Sequence, residues 1–229
     1  MSNNDSVRIV AIDGPSASGK STVSKQVALK LDYTYVDSGS LYRGMTWKAL
    51  REGVDVTHAE RVIEVMNRMD LQFYVEKRVV AFTIDGEDPG QQIRSEPVRE
   101  SVSDVAAIPE VRAFMVDSLR SMVRFGDIVM EGRDIGTVVF PGTPYKFYLD
   151  ADPEERARRR WEELARTESG GDVKKVLHSL KRRDEKDSTR KTAPLQIALG
   201  ARVINTTQMS IEEVVKLIVE IVRAGDAHA

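Results

Sequence analysis

Residues Gly14-Pro15-Ser16-Ala17-Ser18-Gly19-Lys20-Ser21 fit the pattern G-x-x-x-x-G-K-S, which demands a buried strand before it and a helix after it. Both neighbours are present. Val7-Arg8-Ile9-Val10-Ala11-Ile12 is a short apolar run of the kind a buried parallel strand needs. Val23, Val27, Ala28 and Leu31 recur at helical spacing. Glycines in such a loop let successive N–H groups turn inward around an anion, and the helix adds its positive N-terminal end. Lys20 is expected to reach the outer phosphates of a nucleoside triphosphate, and the Ser21 hydroxyl suits a Mg²⁺ bridging them. The motif does not say what receives the phosphoryl group.

A chain of 229 residues fits one large domain or one domain with an insertion. Its net charge of -2 argues against a general binder of nucleic-acid polymers. The absence of cysteine excludes disulfides, a thiol nucleophile and thiolate metal sites, and fits a reducing cytosol. Met1-Ser2-Asn3-Asn4-Asp5 lacks the pattern of a signal peptide, and no apolar stretch is long enough to span a membrane. A cytoplasmic monomer with no membrane partner is therefore expected. His58, His178 and His228 lack ligand spacing and are expected at the surface.

Further along, Tyr33-Thr34-Tyr35-Val36 reads as a second strand running into Asp37-Ser38-Gly39-Ser40, a helix-start signature. In a parallel sheet the ligand rim is where strands end and helices begin, so Ser38, Tyr42 and Arg43 should stand beside the phosphate loop. Taken alone, Arg43 reads equally well as a solvated helix residue. Thr57-His58-Ala59-Glu60 has capping-box spacing before a helix to about Met69. Leu71–Glu76 and Val79–Ile84 then read as a hairpin, with Gln91–Ser95 as a possible third short strand. Residues 70–100 thus form a small antiparallel insertion.

Helical sequence resumes from Pro97 to about Arg124, broken near Pro109, and carries Ser103 and Arg112. Asp127–Glu131 is an apolar strand ending in Gly132-Arg133-Asp134, and an acid-tipped strand is where such enzymes place carboxylates near metal or substrate. An ordinary strand-end turn would look the same. Tyr145–Leu149 and Ala201–Asn205 complete the strands. Asp152-Pro153-Glu154-Glu155 starts a helix bearing Arg156, Arg158, Arg159 and Arg160. Glu154/Arg158 and Glu155/Arg159 are i,i+4 pairs, so this run is equally readable as a salt-bridged surface. Thr167–Gly171 marks a break before another helix. Ser210 and Glu213 form a capping box before a last helix with Val214, Leu217, Ile218, Ile221 and Val222 on its apolar side; the end from Ala224 should fray.

In combination these motifs resemble the bacterial cytidylate kinases. The likeness rests on Ile12-Asp13-Gly14-Pro15-Ser16 with the phosphate loop, Asp37-Ser38-Gly39-Ser40-Leu41-Tyr42-Arg43, and Gly132-Arg133-Asp134-Ile135-Gly136-Thr137-Val138-Val139-Phe140-Pro141. It continues in Arg182-Arg183-Asp184, Asp187, Arg190 and Ala193-Pro194-Leu195, so it spans nearly the whole chain. The resemblance implies an α/β P-loop kinase fold: five parallel strands flanked by helices, as one domain over 1–229. Its core would cover 6–69 and 101–225, with a β-rich CMP-binding insert at 70–100 and a helical lid at 153–190. It also implies phosphoryl transfer from ATP to CMP or dCMP with Mg²⁺. Arg43, Arg133 and Arg190 would clamp the acceptor phosphate, Arg183 and Asp187 the sugar, and Ser38, Ser103, Arg112 and Asp134 the cytosine, with Tyr42 on the same rim. Lys20 and the loop from Gly14 through Thr22 would hold ATP, and lid arginines such as Arg156 and Arg160 would steady the transferring group. Ala17 stands where many members have glycine, which is tolerable if its dihedrals are ordinary; Asn205 stands where some have an acid.

Kinases acting on UMP, AMP or shikimate are the nearest rivals. A regulatory GTPase is disfavoured by the lack of an N-K-x-D motif, and a nucleic-acid module by the net charge.

Overall fold

The structure, a computed structural model, describes residues 7–165 and 172–226. Strand β1 (Ile9–Asp13) leads through the phosphate loop into helix α1 (Lys20–Leu31), and β2 (Thr34–Asp37) into α2 (Ser38–Arg51). Then come α3 (Ala59–Arg68), β3 (Leu71–Glu76), β4 (Val79–Ile84), α4 (Glu96–Val105) and α5 (Pro109–Arg120). The chain closes with β5 (Ile128–Gly132), β6 (Tyr145–Asp150), α6 (Pro153–Ala165), α7 (Val173–Thr189), β7 (Arg202–Asn205) and α8 (Ile211–Asp226).

These strands make one sheet in the order β3-β4-β2-β5-β1-β6-β7. It is seven-stranded rather than five-stranded. The five expected parallel strands are β2, β5, β1, β6 and β7, paired side by side. The hairpin adds the other two: β4 joins β2 in parallel at Tyr35↔Val79, with the Tyr35 N–H donating to the Arg78 carbonyl at 2.8 Å. The insert therefore extends the main sheet, because the edge of β2 offers unpaired backbone groups that the hairpin satisfies.

The central strands β1 and β5 are buried on both sides, so their successive side chains split the core between the two faces of the sheet. Ala11, Val36, Ile128 and Met130 pack with α2 to α5 through Met45, Val62, Val102 and Met115. Val10, Ile12, Val129, Phe147 and Leu149 pack under α1 and α8 through Val23, Val27, Val215 and Ile218. Period-two side-chain alternation makes this three-layer α/β arrangement unavoidable for strands buried on both sides.

Several local expectations are corrected. Gln91–Ser95 is not a strand: Gly90–Arg94 is a 3₁₀ turn, tied down by Trp47 Nε1 donating to Gln92 Oε1 at 3.0 Å and by buried Ile93. The Thr57 hydroxyl bonds Asp55 at 2.8 Å instead of capping α3. The Ser210/Glu213 capping box does form. On α8 the buried face is Val214, Val215, Ile218, Val219 and Val222, while Leu217 is exposed, and the helix continues to Asp226. Arg158 pairs with Glu155 and Glu162; the expected Glu155/Arg159 pair is present at 2.8 Å. The expected break at Thr167–Gly171 lies outside the described residues, as does His228; His58 and His178 are exposed. No helix among the described residues is long and apolar enough to cross a membrane.

Candidate active site

Strand register decides which side chains share a rim. Asp13 of β1 lies opposite Gly132 of β5, and Glu131 opposite both Ile12 and Asp37. The ends of β1, β2 and β5 are therefore level, and the phosphate loop, Ser38 and Arg133 leave the sheet side by side, as the geometry of parallel sheets requires.

The loop is shaped by two glycines. Gly14 has φ +147°, and a Cβ there would lie 2.1 Å from the Leu149 carbonyl oxygen. Gly19, at φ 91°, caps α1, whose first turn carries no acid to neutralise its positive end. Lys20 is buried, its Nζ folded back to the Pro15 carbonyl at 2.5 Å and Ser18 Oγ at 3.2 Å. Burial and then the Arg133 charge pull its ammonium down to about 7, against the opposing pull of Glu131, Asp13 and Asp184. Ala17 has φ 60°, so its dihedrals are not ordinary. Left-handed backbone costs a residue with a Cβ roughly 1–2 kcal/mol. Ala17→Gly should raise stability by about 0.5–1 kcal/mol, relief of strain exceeding the extra unfolded-state entropy of glycine. The readout is a higher urea midpoint; a lower one would show the loop unstrained.

Glu131, to which the sequence pattern assigns no individual role, is the carboxylate beside Lys20 under the loop. It is buried, accepts from the Tyr35 hydroxyl, and lies within hydrogen-bonding reach of Ser21. Burial raises its carboxyl, with Asp37 adding to the effect. Asp13 was also missed. It accepts from the N–H groups of Ile135 at 2.9 Å and Gly136 at 2.7 Å, anchoring the wide π-helical turn Ile135–Val139 that follows Arg133 and Asp134. Burial lifts its carboxyl to about 6 although both N–H groups pull the other way.

On the other side of the cleft, the Ser38 hydroxyl donates to the Glu131 carbonyl at 2.7 Å. A Cβ at Gly132 would come within 2.6 Å of that hydroxyl oxygen, which is why glycine ends β5. Arg43 is held by Asp37 and Ser40, both at 2.9 Å. Burial pushes the Asp37 carboxyl up, but Arg43 and Ser40 outweigh it and bring it down to about 2. Arg112 and Asp134 form a buried ion pair, with Arg112 also over the Tyr42 ring, 5.3 Å from its centroid. Arg190 Nη2 stands 3.9 Å from the second Asp134 oxygen, and its Nε donates to the Ala193 carbonyl. Asp187 accepts from Arg133 Nε at 3.1 Å and from Ser103 Oγ at 3.3 Å.

One cleft of about 1760 Å³ gathers Ser38, Tyr42, Arg43, Ser103, Arg112, Arg133, Asp134, Arg183, Asp187 and Arg190 with the loop from Ser16 to Thr22. A single small-molecule pocket is usually about 300–1,000 Å³, so this space exceeds what one such ligand fills. Arg158, Arg159 and Arg160 also line it; Arg156 does not, being turned toward the loop backbone. Arg160 pairs with Glu163 at 2.6 Å. Arg159, not among the expected site residues, donates to the Thr206 hydroxyl and carbonyl beside the loop. Burial, and then the neighbouring charges of Arg133, Arg43 and Arg160, lower Arg183 to about 10 although Asp187 pulls the other way.

The cytidylate kinase family model matches residues 10–224. The cytidylate kinase of Caldanaerobacter subterraneus subsp. tengcongensis is 44% identical over 214 residues, covering 93% of this chain and 94% of its own. That of Clostridioides difficile is 41% identical, covering 92% and 96%, and that of Mycobacterium leprae 41%, covering 94% and 95%. Among solved structures, an uncharacterised protein from Eubacterium ventriosum shares the fold at a TM-score of 0.51 and 12% identity, covering 94% of this chain and 98% of that one. With a family model spanning the chain almost from end to end and relatives above two-fifths identity, the chain belongs to the cytidylate kinase family.

Proposed function

We propose that the chain transfers the γ-phosphoryl group of ATP to CMP or dCMP, yielding ADP and CDP or dCDP. One observation carries the residue assignments. Of the seven buried side-chain polar atoms without a hydrogen-bond partner among the described residues, five belong to the acceptor set: Tyr42 Oη, Arg43 Nε, Arg112 Nε, Arg183 Nε and Arg190 Nη2. Native interiors rarely leave such groups unpaired, each costing about 1–3 kcal/mol. Orphan donors concentrated in one cleft call for a ligand rich in acceptors, which a nucleoside phosphate is.

Phosphoryl transfer needs alignment and charge neutralisation more than a protein nucleophile, because the acceptor is already an anionic phosphate. Arg43, Arg133 and Arg190 would grip that phosphate, their planar forks suiting bidentate contact. Arg183 and Asp187 would take the sugar, and Ser38, Ser103, Arg112 and Asp134 the base. Lys20 would leave the Pro15 carbonyl for the outer phosphates of ATP, whose negative charge would favour its protonated form. The loop N–H groups and the α1 terminus would hold the rest of the polyphosphate. Mg²⁺ would fall to Ser21, with the Glu131 carboxylate beside it. That sparse hard-oxygen set fits an ion that keeps waters and binds mainly through phosphates. When bound it would neutralise charge on the transferring phosphoryl group. The α6/α7 pair would act as the lid, with Arg160 facing the donor and closure excluding water.

A coupled ADP-release assay over CMP, dCMP, UMP, AMP and shikimate tests the proposal. CMP and dCMP should exceed the others at least tenfold in kcat/KM. Preference for UMP or AMP would reassign the acceptor.

A further inference from the structure

Ser16, the third residue of the phosphate loop, has every polar group taken by a residue from outside the loop. Its N–H donates to Asp184 Oδ1 at 3.2 Å, its carbonyl accepts from Arg156 Nη1 at 3.1 Å, and its hydroxyl accepts from Arg133 Nη2 at 2.8 Å. The second Asp184 oxygen pairs with Arg156, whose Nε is anchored on the Ala151 carbonyl at 3.0 Å. Arg156 belongs to α6 and Asp184 to α7, so the two helices grip one residue of the loop by the peptide groups on either side of it. A turn further along α7, Asp187 holds Arg133. Residues three apart share a helix face. That face of α7 thus carries one carboxylate for the donor loop and one for the acceptor arginine.

The chemistry of Ser16 is unusual for this loop. A phosphate-binding loop works by offering free N–H groups, yet here a carboxylate already occupies one. Arg156 is also spent: with donations to two carbonyls and a carboxylate, and only 7% exposed, it is anchored away from the cleft.

We propose that Asp184, with Arg156, is a positioning residue that couples the donor and acceptor sites. Any shift of α6 and α7 moves Ser16 through the peptide groups on both sides of it, and Ser16 in turn holds Arg133. A polyphosphate that settles the loop thereby sets Arg133 for the acceptor, and an acceptor held by Arg133 sets the loop for the donor. Such coupling is reciprocal by thermodynamic necessity. The proposal rests on the CMP kinase reading.

The test is calorimetric binding of CMP with and without saturating ADP, a pair that forms a dead-end complex. In the wild type, ADP should tighten CMP binding on the order of tenfold, a usual size for site-to-site coupling. Asp184→Asn keeps the volume and an acceptor for the Ser16 N–H but removes the charge facing Arg156. Arg156→Lys keeps the charge but cannot reach all three partners. In both, ADP should change CMP affinity by less than twofold, while CMP affinity alone stays within about threefold of wild type. A role confined to stability would lower the melting temperature and leave the coupling intact, which overturns the proposal. So does a wild type without coupling. Failure of the wild type to bind CMP at all overturns the reading beneath it.

Discussion

Lys20→Ala lowers kcat on the order of a hundredfold or more, about 3 kcal/mol of transition-state stabilisation, while the melting temperature does not fall. Lys20 is the loop's one cationic side chain, and its Nζ now rests on the Pro15 carbonyl and Ser18. Its ammonium is buried and faces the like charge of Arg133, which is why its proton is held weakly before an anion arrives. Removing a desolvated cation takes away a folding cost along with a catalytic group, so stability and activity separate. Single-turnover kinetics with saturating ATP and CMP isolate the chemical step, and thermal denaturation checks the fold. Near-normal turnover would sink the assignment of the loop, and a collapsed fold would mean Lys20 is chiefly structural.

The same loop shows how much the sequence carries on its face. A motif whose meaning lies in adjacent residues, such as Gly14 to Ser21, is legible because the strand before it and the helix after it are local too. The unbroken apolar runs of β1 and β5 give their two-faced burial for the same reason. What depends on distant partners was not legible. The hairpin joins the main sheet through the single register pair Tyr35↔Val79, which no local pattern encodes. Arg156 sits in a run where every arginine has acids at helical spacing, so nothing nearby says that it alone turns inward to Ser16. Asp184 stands in the stretch Arg182-Arg183-Asp184, but its bond to Ser16 spans the fold. The acceptor arginines come from four distant segments, and only the family resemblance brought them together before the cleft did. Asp13 and Glu131 were visible as strand-end acids, yet their partners, the Ile135 and Gly136 amides and the Tyr35 hydroxyl, are tertiary.

Asp134→Asn should flatten the preference for CMP over UMP, chiefly through loss of CMP. Cytosine presents an amino donor at position 4 and an acceptor at N3; uracil reverses both. An ionised carboxylate only accepts and a guanidinium only donates, so the Asp134–Arg112 pair matches cytosine and opposes uracil. The structure sharpens this beyond the chemistry of either residue. Arg112 spends one nitrogen on an Asp134 oxygen and another on the Ala106 carbonyl, leaving its buried Nε unpaired. Among the described residues, the charged neighbour of the other Asp134 oxygen is Arg190, at 3.9 Å. One carboxylate oxygen therefore remains as acceptor for a base, and three of the five Arg112 N–H groups, the Nε one among them, as donors. An asparagine can turn its NH₂ toward the uracil O4, but then offers cytosine a donor where an acceptor is needed. Such a mismatch is worth about 1–3 kcal/mol, so the CMP:UMP ratio of kcat/KM should fall roughly 5- to 150-fold. Arg112→Ala should weaken both pyrimidines. It should also cost on the order of 3 kcal/mol of stability, because it strands a buried carboxylate. The measurement is kcat/KM for both nucleotides on wild type and both variants, with a denaturation curve for each. If Asp134→Asn keeps the wild-type ratio, Asp134 does not read the base; its work is then to hold Arg112 in place.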